Sequence, residues 1–258
     1  MQTITRRKTG ILSSKWRRKR HQCGAAPVSL SAGGSAGGLV TGSGSIVTVV
    51  GVNITVRSAS KSDVLAVAAV LGEAFAMDPS AHRILGDRDP QESKVELAGL
   101  IETIIRHHYL DSGKVDVAEN ERGEIVGAAL WDRPGSSMGV KAKVAVAPQV
   151  VRLMGRRLAR KMTQGLRASG YHPKFPHWYL YMVGATPESQ GSGVGTALLE
   201  HGLGRVGDDA AYLEASTPAS AKLYERMGFV PMGVNPIPTP GRDPELATWR
   251  PGAMPEQS

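Results

Sequence analysis

Gln190 to Thr196 reads QGSGVGT and stands between a strand candidate and a helix candidate. Glycines in such a place let the backbone approach a ligand and aim its N–H groups outward, and a helix N-terminus adds favourable potential for an anion. The segment therefore asks for a phosphate. A P-loop needs a Lys after its second glycine, and this segment ends in Thr196 with no Lys. The dinucleotide fingerprint finds Gly191 and Gly193, with Glu214 at the end of the next strand candidate, about where the ribose acid stands. Its third position is Thr196, however, and the stretch TPESQ separates strand from glycines where that fingerprint wants a tight turn. A third pattern, Q/R-x-x-G-x-G/A, is met by Gln190, Gly193 and Gly195. Metal chemistry finds no support, because the seven histidines form no H-E-x-x-H or similar ligand spacing. His107, His108, His172 and His177 read as ordinary surface or core residues.

The elements that must position this loop follow from hydrophobic period. Ile54 to Arg57 is a short strand candidate. Ser62 and Asp63 offer capping groups to a helix with Val64, Val67, Ala68, Leu71 and Phe75 on one face, stopping near Asp78-Pro79. A second helix is predicted from about Gln91 to Leu110, with Val95, Leu97, Leu100, Ile101, Ile104, Ile105 and His108 inward. Lys114 to Glu119 and Ile125 to Trp131 read as a β-hairpin around a turn at Asn120 to Glu124. Pro148 to Ser169 repeats Val150, Met154, Leu158, Met162 and Leu166 at intervals of four, with Arg and Lys on the other faces. That basic face is either a solvated surface or an attractive field for an anion. Trp178 to Ala185 (WYLYMVGA) suits a central strand, and Gly193 to Arg205 a helix. Ala211 to Ala215, Phe229 to Gly233 and Leu246 to Arg250 are strands, with a short helix at Ala219 to Met227. This is an α/β (α+β) layout.

Composition sets the frame. The 258 residues are 41% hydrophobic and 21% charged, as in a soluble globular chain. The formal charge of +8 belongs to residues 1 to 20, which hold eight basic residues, whereas the first acid is Asp63. The remainder is balanced, so a domain-wide nucleic-acid footprint is not supported. Residues 24 to 51 are Gly/Ser/Ala-rich without an aromatic, and 1–52 is expected to be disordered. That stretch reads as a solvated tail or an upstream start site, as a nucleic-acid or acidic-surface anchor through WRRKR, or as a targeting segment. The rest is expected to form one domain, 53–250, with a C-terminal tail at 251–258. The lone Cys23 excludes intrachain disulfides and, with no apolar run near the roughly 20 residues of a membrane helix, predicts a cytoplasmic protein.

The Gln190 loop has company. V183-G-A-T-P187 precedes it, Y212-L-E-A-S216 follows as the next strand, and L223-Y-E-R-M-G-F229 comes after that. Together these resemble the GNAT superfamily of acyl-CoA-dependent N-acetyltransferases over roughly Ile54 to Gly233. With D111-S-G-K-V115 and H172-P-K174 in the same order, the layout is most similar to the antibiotic acetyltransferases of the puromycin N-acetyltransferase type. The resemblance implies a mixed, mostly antiparallel sheet flanked by helices, with a splayed central strand pair. It implies acetyl-CoA as acetyl donor, held by Met182, Val183, Gly184 and Ala185 and by Gln190, Gly191, Ser192, Gly193, Val194, Gly195 and Thr196. No metal is implied. Gly184 suits both close backbone approach and a local bulge. Tyr224 matches the family's general acid to the CoA thiolate, its other reading being an aromatic core residue. Thr217 stands where the family often has an Asn that helps hold the cofactor.

Glu214 is the best candidate for a general base, its alternative being a structural carboxylate, and Asp78 and Glu119 are weaker options. Substrate contacts are expected from Phe75, Asp78 and Tyr109. The acceptor is expected to be a small-molecule amine, attacked directly. Rivals are a protein amine acetyltransferase, a silent acyl-CoA-binding regulatory module, and a nucleic-acid-binding protein resting on the tail alone. Oligomeric state is not legible.

Overall fold

The computed structural model describes residues 45–49, 52–85, 88–111, 113–155, 172–234 and 244–253. The unit Gly42–Ser258 carries all of the elements named below. Apart from β1 and Val52, the 1–52 stretch lies outside the described residues, as do Leu158, Met162 and Leu166.

The described strands form one sheet in the order β1-β2-β3-β4-β5-β6-β8-β7. They are β1 (Ser45–Val49), β2 (Val52–Ser58), β3 (Lys114–Glu119), β4 (Ile125–Asp132), β5 (Trp178–Ala185), β6 (Ala211–Ala215), β7 (Val230–Val234) and β8 (Leu246–Arg250). Only β5 and β6 pair in parallel, joined by a helical crossover, and every other neighbour is antiparallel. The β3–β4 hairpin closes because the Asn120 carboxamide oxygen accepts from Arg122 N at 2.9 Å and Glu124 N at 3.0 Å, holding the chain in a turn.

Helices cover both faces. On one side lie α1 (Val64–Phe75), α2 (Pro79–Leu85), α3 (Pro90–Ile104), continued by a π-turn at Ile105–Tyr109, and α4 (Val140–Met154). On the other lie α5 (Val194–Val206) and α6 (Pro218–Arg226). Alternation along β4 feeds both layers: Ala129 and Trp131 pack with Leu198 and Phe229, while Ala128 and Leu130 pack with Leu71, Leu97 and Ile101. An ion pair ties α5 to the sheet, the partly exposed Arg205 reaching the fully buried Asp116 of β3 at 2.9 and 2.6 Å.

Three expectations need correction. Asp63 makes no side-chain cap to α1, because its carboxylate is taken by Arg57 at 2.7 Å and by the Ser60 backbone N–H at 2.7 Å. Val95 is 71% exposed and points away from the core. The helix expected from Pro148 begins at Val140, and Pro148 lies inside it.

Candidate functional site

β5 and β6 pair only at Trp178↔Ala211 and Tyr179↔Tyr212, then part, so the sheet opens between them. The remainder of β5 keeps β4 on its other edge. That pairing contains a bulge, since Leu130 faces Met182 and Trp131 faces Leu180, leaving Tyr181 as the extra residue. Its effect on side-chain direction is visible in the core. Trp178 and Leu180 pack into the α5 layer before the bulge, and Val183 and Ala185 after it, so the alternation shifts by one residue. The bulge thus falls at Tyr181, whereas Gly184 answers a different need. A Cβ there would lie 2.7 Å from the Ala74 Cβ of α1, closer than such atoms approach.

A cavity of about 700 Å³ fills the opening. Met182, Val183, Gly184 and Ala185 line it from β5, and Gln190, Gly191, Gly193, Gly195 and Thr196 from the glycine loop. Gly191 and Gly193 have φ of +79° and +91°, which the glycine side of the conformational map permits without strain. Gly193 is the N-cap of α5 and supplies no side-chain acceptor, so the first N–H groups of that helix are left for an anion. Ser192 and Val194 do not line the cavity: the Ser192 hydroxyl donates to Ser189 O at 2.6 Å, and the Val194 side chain is buried in the core.

Tyr224 of α6 lines the same cavity and is 7% exposed. Burial, with the negative charge of Asp78 added, raises its phenol above the ordinary range and keeps it protonated at neutral pH. Asp78 also lines the cavity, its carboxylate accepting from Ser80 N at 2.7 Å and from the Ser216 hydroxyl at 2.7 Å. Thr217 is the N-cap of α6, accepting from Ser220 N at 3.1 Å, and it too faces the cavity.

Glu214 lies on β6 where the strands diverge. Its carboxylate accepts from the Tyr179 hydroxyl at 2.8 Å and the Tyr212 hydroxyl at 2.9 Å, and His172 Nε2 stands 3.1 Å away. Burial works to raise its pKa, but the bonds from His172 and the tyrosines outweigh it, and the carboxyl titrates below its usual range. Phe75 lines the cavity, as expected of a substrate contact. Tyr109 does not: it is 3% exposed, donates to Asp132 at 2.9 Å, and stacks behind Tyr181 at 6.1 Å between centroids. Glu119, a weaker candidate for the base, is bound to Arg57 at 3.0 Å on the far part of the sheet.

Several lining residues escaped the sequence reading: Tyr179, Tyr181, Ser216, Arg226 and Glu245. Tyr179 and Tyr181 stand two apart in a strand, which places them on one face by period alone. Arg226 and Glu245 carried no local signal. His172, read as ordinary, is a direct partner of Glu214. Among the described residues no group of three His, Cys, Asp or Glu could hold a metal ion, and no helix is long and apolar enough to cross a membrane.

Comparison with known proteins bears on this arrangement. Residues 82–229 match the acetyltransferase (GNAT) family. A solved structure described as histone acetyltransferase HPA2 and related acetyltransferase, from Corynebacterium glutamicum, is 43% identical, with a TM-score of 0.62 over 78% of this chain and 98% of that one. The chain is also 38% identical over 66 residues to a mycothiol acetyltransferase of Paenarthrobacter aurescens, covering 24% of this chain and 20% of that protein. A mycothiol acetyltransferase of Streptomyces griseus is 42% identical over 55 residues, 19% of this chain and 18% of its own length. The matched segment thus spans about a fifth of these curated relatives.

Proposed function

Because the chain belongs to the acetyltransferase (GNAT) family, we propose that it transfers an acetyl group from acetyl-CoA to the primary amine of a small molecule, by direct attack. One observation carries this reading: a single cavity joins the uncapped start of α5, the free edge of β5, Tyr224 and Glu214. Its volume of about 700 Å³ is that of a small-molecule pocket. The relatives, one described as a histone acetyltransferase and others as mycothiol acetyltransferases, differ in the acceptors their names imply and do not choose among them.

Acetyl-CoA supplies an activated thioester. The N–H groups of Gly193 to Thr196 suit its pyrophosphate, with Gln190, Gly191 and the Ser192 and Val194 backbone completing the loop. Met182 to Ala185 offer backbone groups to the acyl-bearing arm and an N–H to the oxyanion that forms at the carbonyl. Tyr224, protonated at neutral pH, donates to the departing thiolate. Glu214 is ionised and faces the cavity, so it can accept a proton from the amine. Thr217 holds α6, and with it Tyr224, at the edge of the loop. Cys23 is the chain's single cysteine and stands far upstream of these residues in sequence, which favours direct transfer over an acetyl-cysteine intermediate.

The acceptor's character follows from the walls. Leu97, Leu100, Ile101 and Ile104 of α3 face Phe75, Tyr179 and Tyr181 across a cavity whose described charged lining is Asp78, Glu214 and Glu245 against Arg226 alone. A cationic amine with an apolar body fits that balance. Thiol release from acetyl-CoA across a panel of such amines, puromycin among them, tests the assignment. Release should depend on the amine, and Tyr224→Phe should lower kcat by about 10²-fold with little change in the KM for acetyl-CoA. Acetyl-CoA binding without acetylation of any amine would leave a silent acyl-CoA-binding module as the better description.

A further inference from the structure

We propose that Tyr181 selects the acceptor by offering the open face of its ring to a planar aromatic group, so that the preferred amine is one carried on a flat ring by a short linker. The inference rests on the acetyl-transfer reading above and concerns the acceptor end of the same cavity. The pyrophosphate is assigned to the loop that follows Ala185, so the acyl-bearing arm runs back along β5 towards Met182. Its acyl end then comes next to Tyr181, where the attacking nitrogen has to arrive.

Tyr181 lines the cavity and is 41% exposed. One face of its ring is covered by Tyr109, in an offset stack with 6.1 Å between centroids and 23° between planes. Tyr109 is buried and does not line the cavity, so it lies behind Tyr181 and leaves the other face to the opening. Tyr179 borders the ring edge-on, at 6.1 Å and 66°, and its hydroxyl donates to Glu214 at 2.8 Å. The open face is thus one ring away from the carboxylate that takes the amine's proton. This spacing sets the linker: the acceptor's ring lies on Tyr181 while its nitrogen stays by Glu214.

The acceptor does not have to order this ring. As the extra residue of the bulge, Tyr181 has no β4 residue opposite to pin it, and the stack does so instead. Tyr109 donates to Asp132 Oδ2 at 2.9 Å, His108 Nε2 meets Oδ1 of the same carboxylate at 2.6 Å, and the His108 and Tyr109 rings sit edge-on at 4.8 Å. Asp132 ends β4, so the stack is tied to the sheet. A ring already fixed loses little rotamer freedom on binding, which leaves more of its contact as affinity. Phe75 and the α3 side chains Leu97, Leu100 and Ile101 line the same cavity and offer no hydrogen bond, so they suit the apolar body of an aromatic amine better than a polyhydroxylated one. A saturated ring of the same size fills this space but cannot make the offset stack. Planarity, more than bulk, is therefore the property that Tyr181 selects.

The test uses amines matched in carbon skeleton and different in planarity: benzylamine and 2-phenylethylamine against cyclohexylmethylamine and 2-cyclohexylethylamine, assayed by thiol release from acetyl-CoA with the full chain. Release with any of them checks the acetyl-transfer reading by itself. The aromatic member of each pair should be preferred in kcat/KM by about three- to tenfold, the size of one ring–ring contact. Tyr181→Leu should bring that ratio to about one and Tyr181→Phe should keep it, with a thermal melt to show that both variants fold. Equal kcat/KM within the pairs, or a preference that survives Tyr181→Leu, overturns the inference and leaves acetyl transfer standing. A second readout needs neither turnover nor a variant. In the presence of CoA, 2-phenylethylamine should move the ring-proton resonances of Tyr181 upfield and 2-cyclohexylethylamine should not, and resonances that respond alike to both, or to neither, overturn the stacking.

Discussion

At Gly184 a single hydrogen decides how closely α1 can lie on β5. A methyl carbon there meets the Ala74 Cβ at 2.7 Å, with Leu71 and Phe75 side-chain atoms at 3.4 Å, so the helix must move or the strand must bend. Overpacking of this kind costs about 1–3 kcal/mol. Gly184→Val should therefore lower stability by that amount in urea unfolding. It should also raise the KM for acetyl-CoA, because the displaced strand is the one whose free edge borders the cavity. Glu214 and Tyr224 share a different residue-scale logic. Each is enclosed, yet the first stays ionised because His172 and two tyrosine hydroxyls favour its charge, and the second stays neutral because burial and the nearby negative charge of Asp78 both disfavour its phenolate. Burial alone would push both towards neutrality, so the partners, not the degree of enclosure, separate an acceptor of protons from a donor.

At the scale of elements, the site is a junction between a strand that bulges and two helices that begin beside it. Tyr179 and Tyr181 share the cavity face by strand period, and the bulge at Tyr181 then shifts the phase of β5 so that Val183 and Ala185 return to the core. α5 begins uncapped at Gly193, whereas α6 begins with a capping box in which Thr217 accepts from Ser220 N and the Ser220 side chain meets Thr217 N at 3.2 Å. The contrast suits the proposed function: the helix that opens at the glycine loop has no side-chain cap, and the one that carries Tyr224 is closed by its own capping box. Thr217→Ala removes the cap and should cost about 1 kcal/mol by chemical denaturation. If Thr217 serves only as the cap, the KM for acetyl-CoA stays within about twofold, and a larger rise would assign it a direct contact with the donor.

For the molecule as a whole, acid sensitivity should trace to carboxylates that the fold holds ionised. The Arg57 guanidinium lies between Asp63 and Glu119 and holds the Asp63 carboxyl well below its usual range, while Glu214 is lowered by its own three donors. Groups lowered on folding add stability that is present above their unfolded pKa of about 4 and is lost as pH falls through the folded value. The melting temperature should accordingly decline below about pH 4, and Asp63→Asn should flatten that decline, most at its acid end where the Asp63 carboxyl is the one still held ionised. Arg57 is partly exposed, so salt should weaken its share. Much of this fold was legible in advance because its signals are local: hydrophobic period marked α1, α3 and the hairpin, and glycine spacing marked the loop that opens α5. The start of α4 was misplaced because Pro148 looks like a boundary in sequence and is tolerated inside the helix here. Tyr224 and Glu214 entered as candidates for proton transfer through the family resemblance, which supplied the role for one and the strand splay beside the other. What lay beyond the sequence was everything that depends on two distant segments meeting: the bulge at Tyr181, the Ala74 contact that requires Gly184, Tyr109 drawn away to Asp132, and His172 brought to Glu214. The physical reason is that helix, strand and turn preferences are properties of a few consecutive residues, whereas the charge state and reach of a buried side chain are set by partners that only the folded chain supplies.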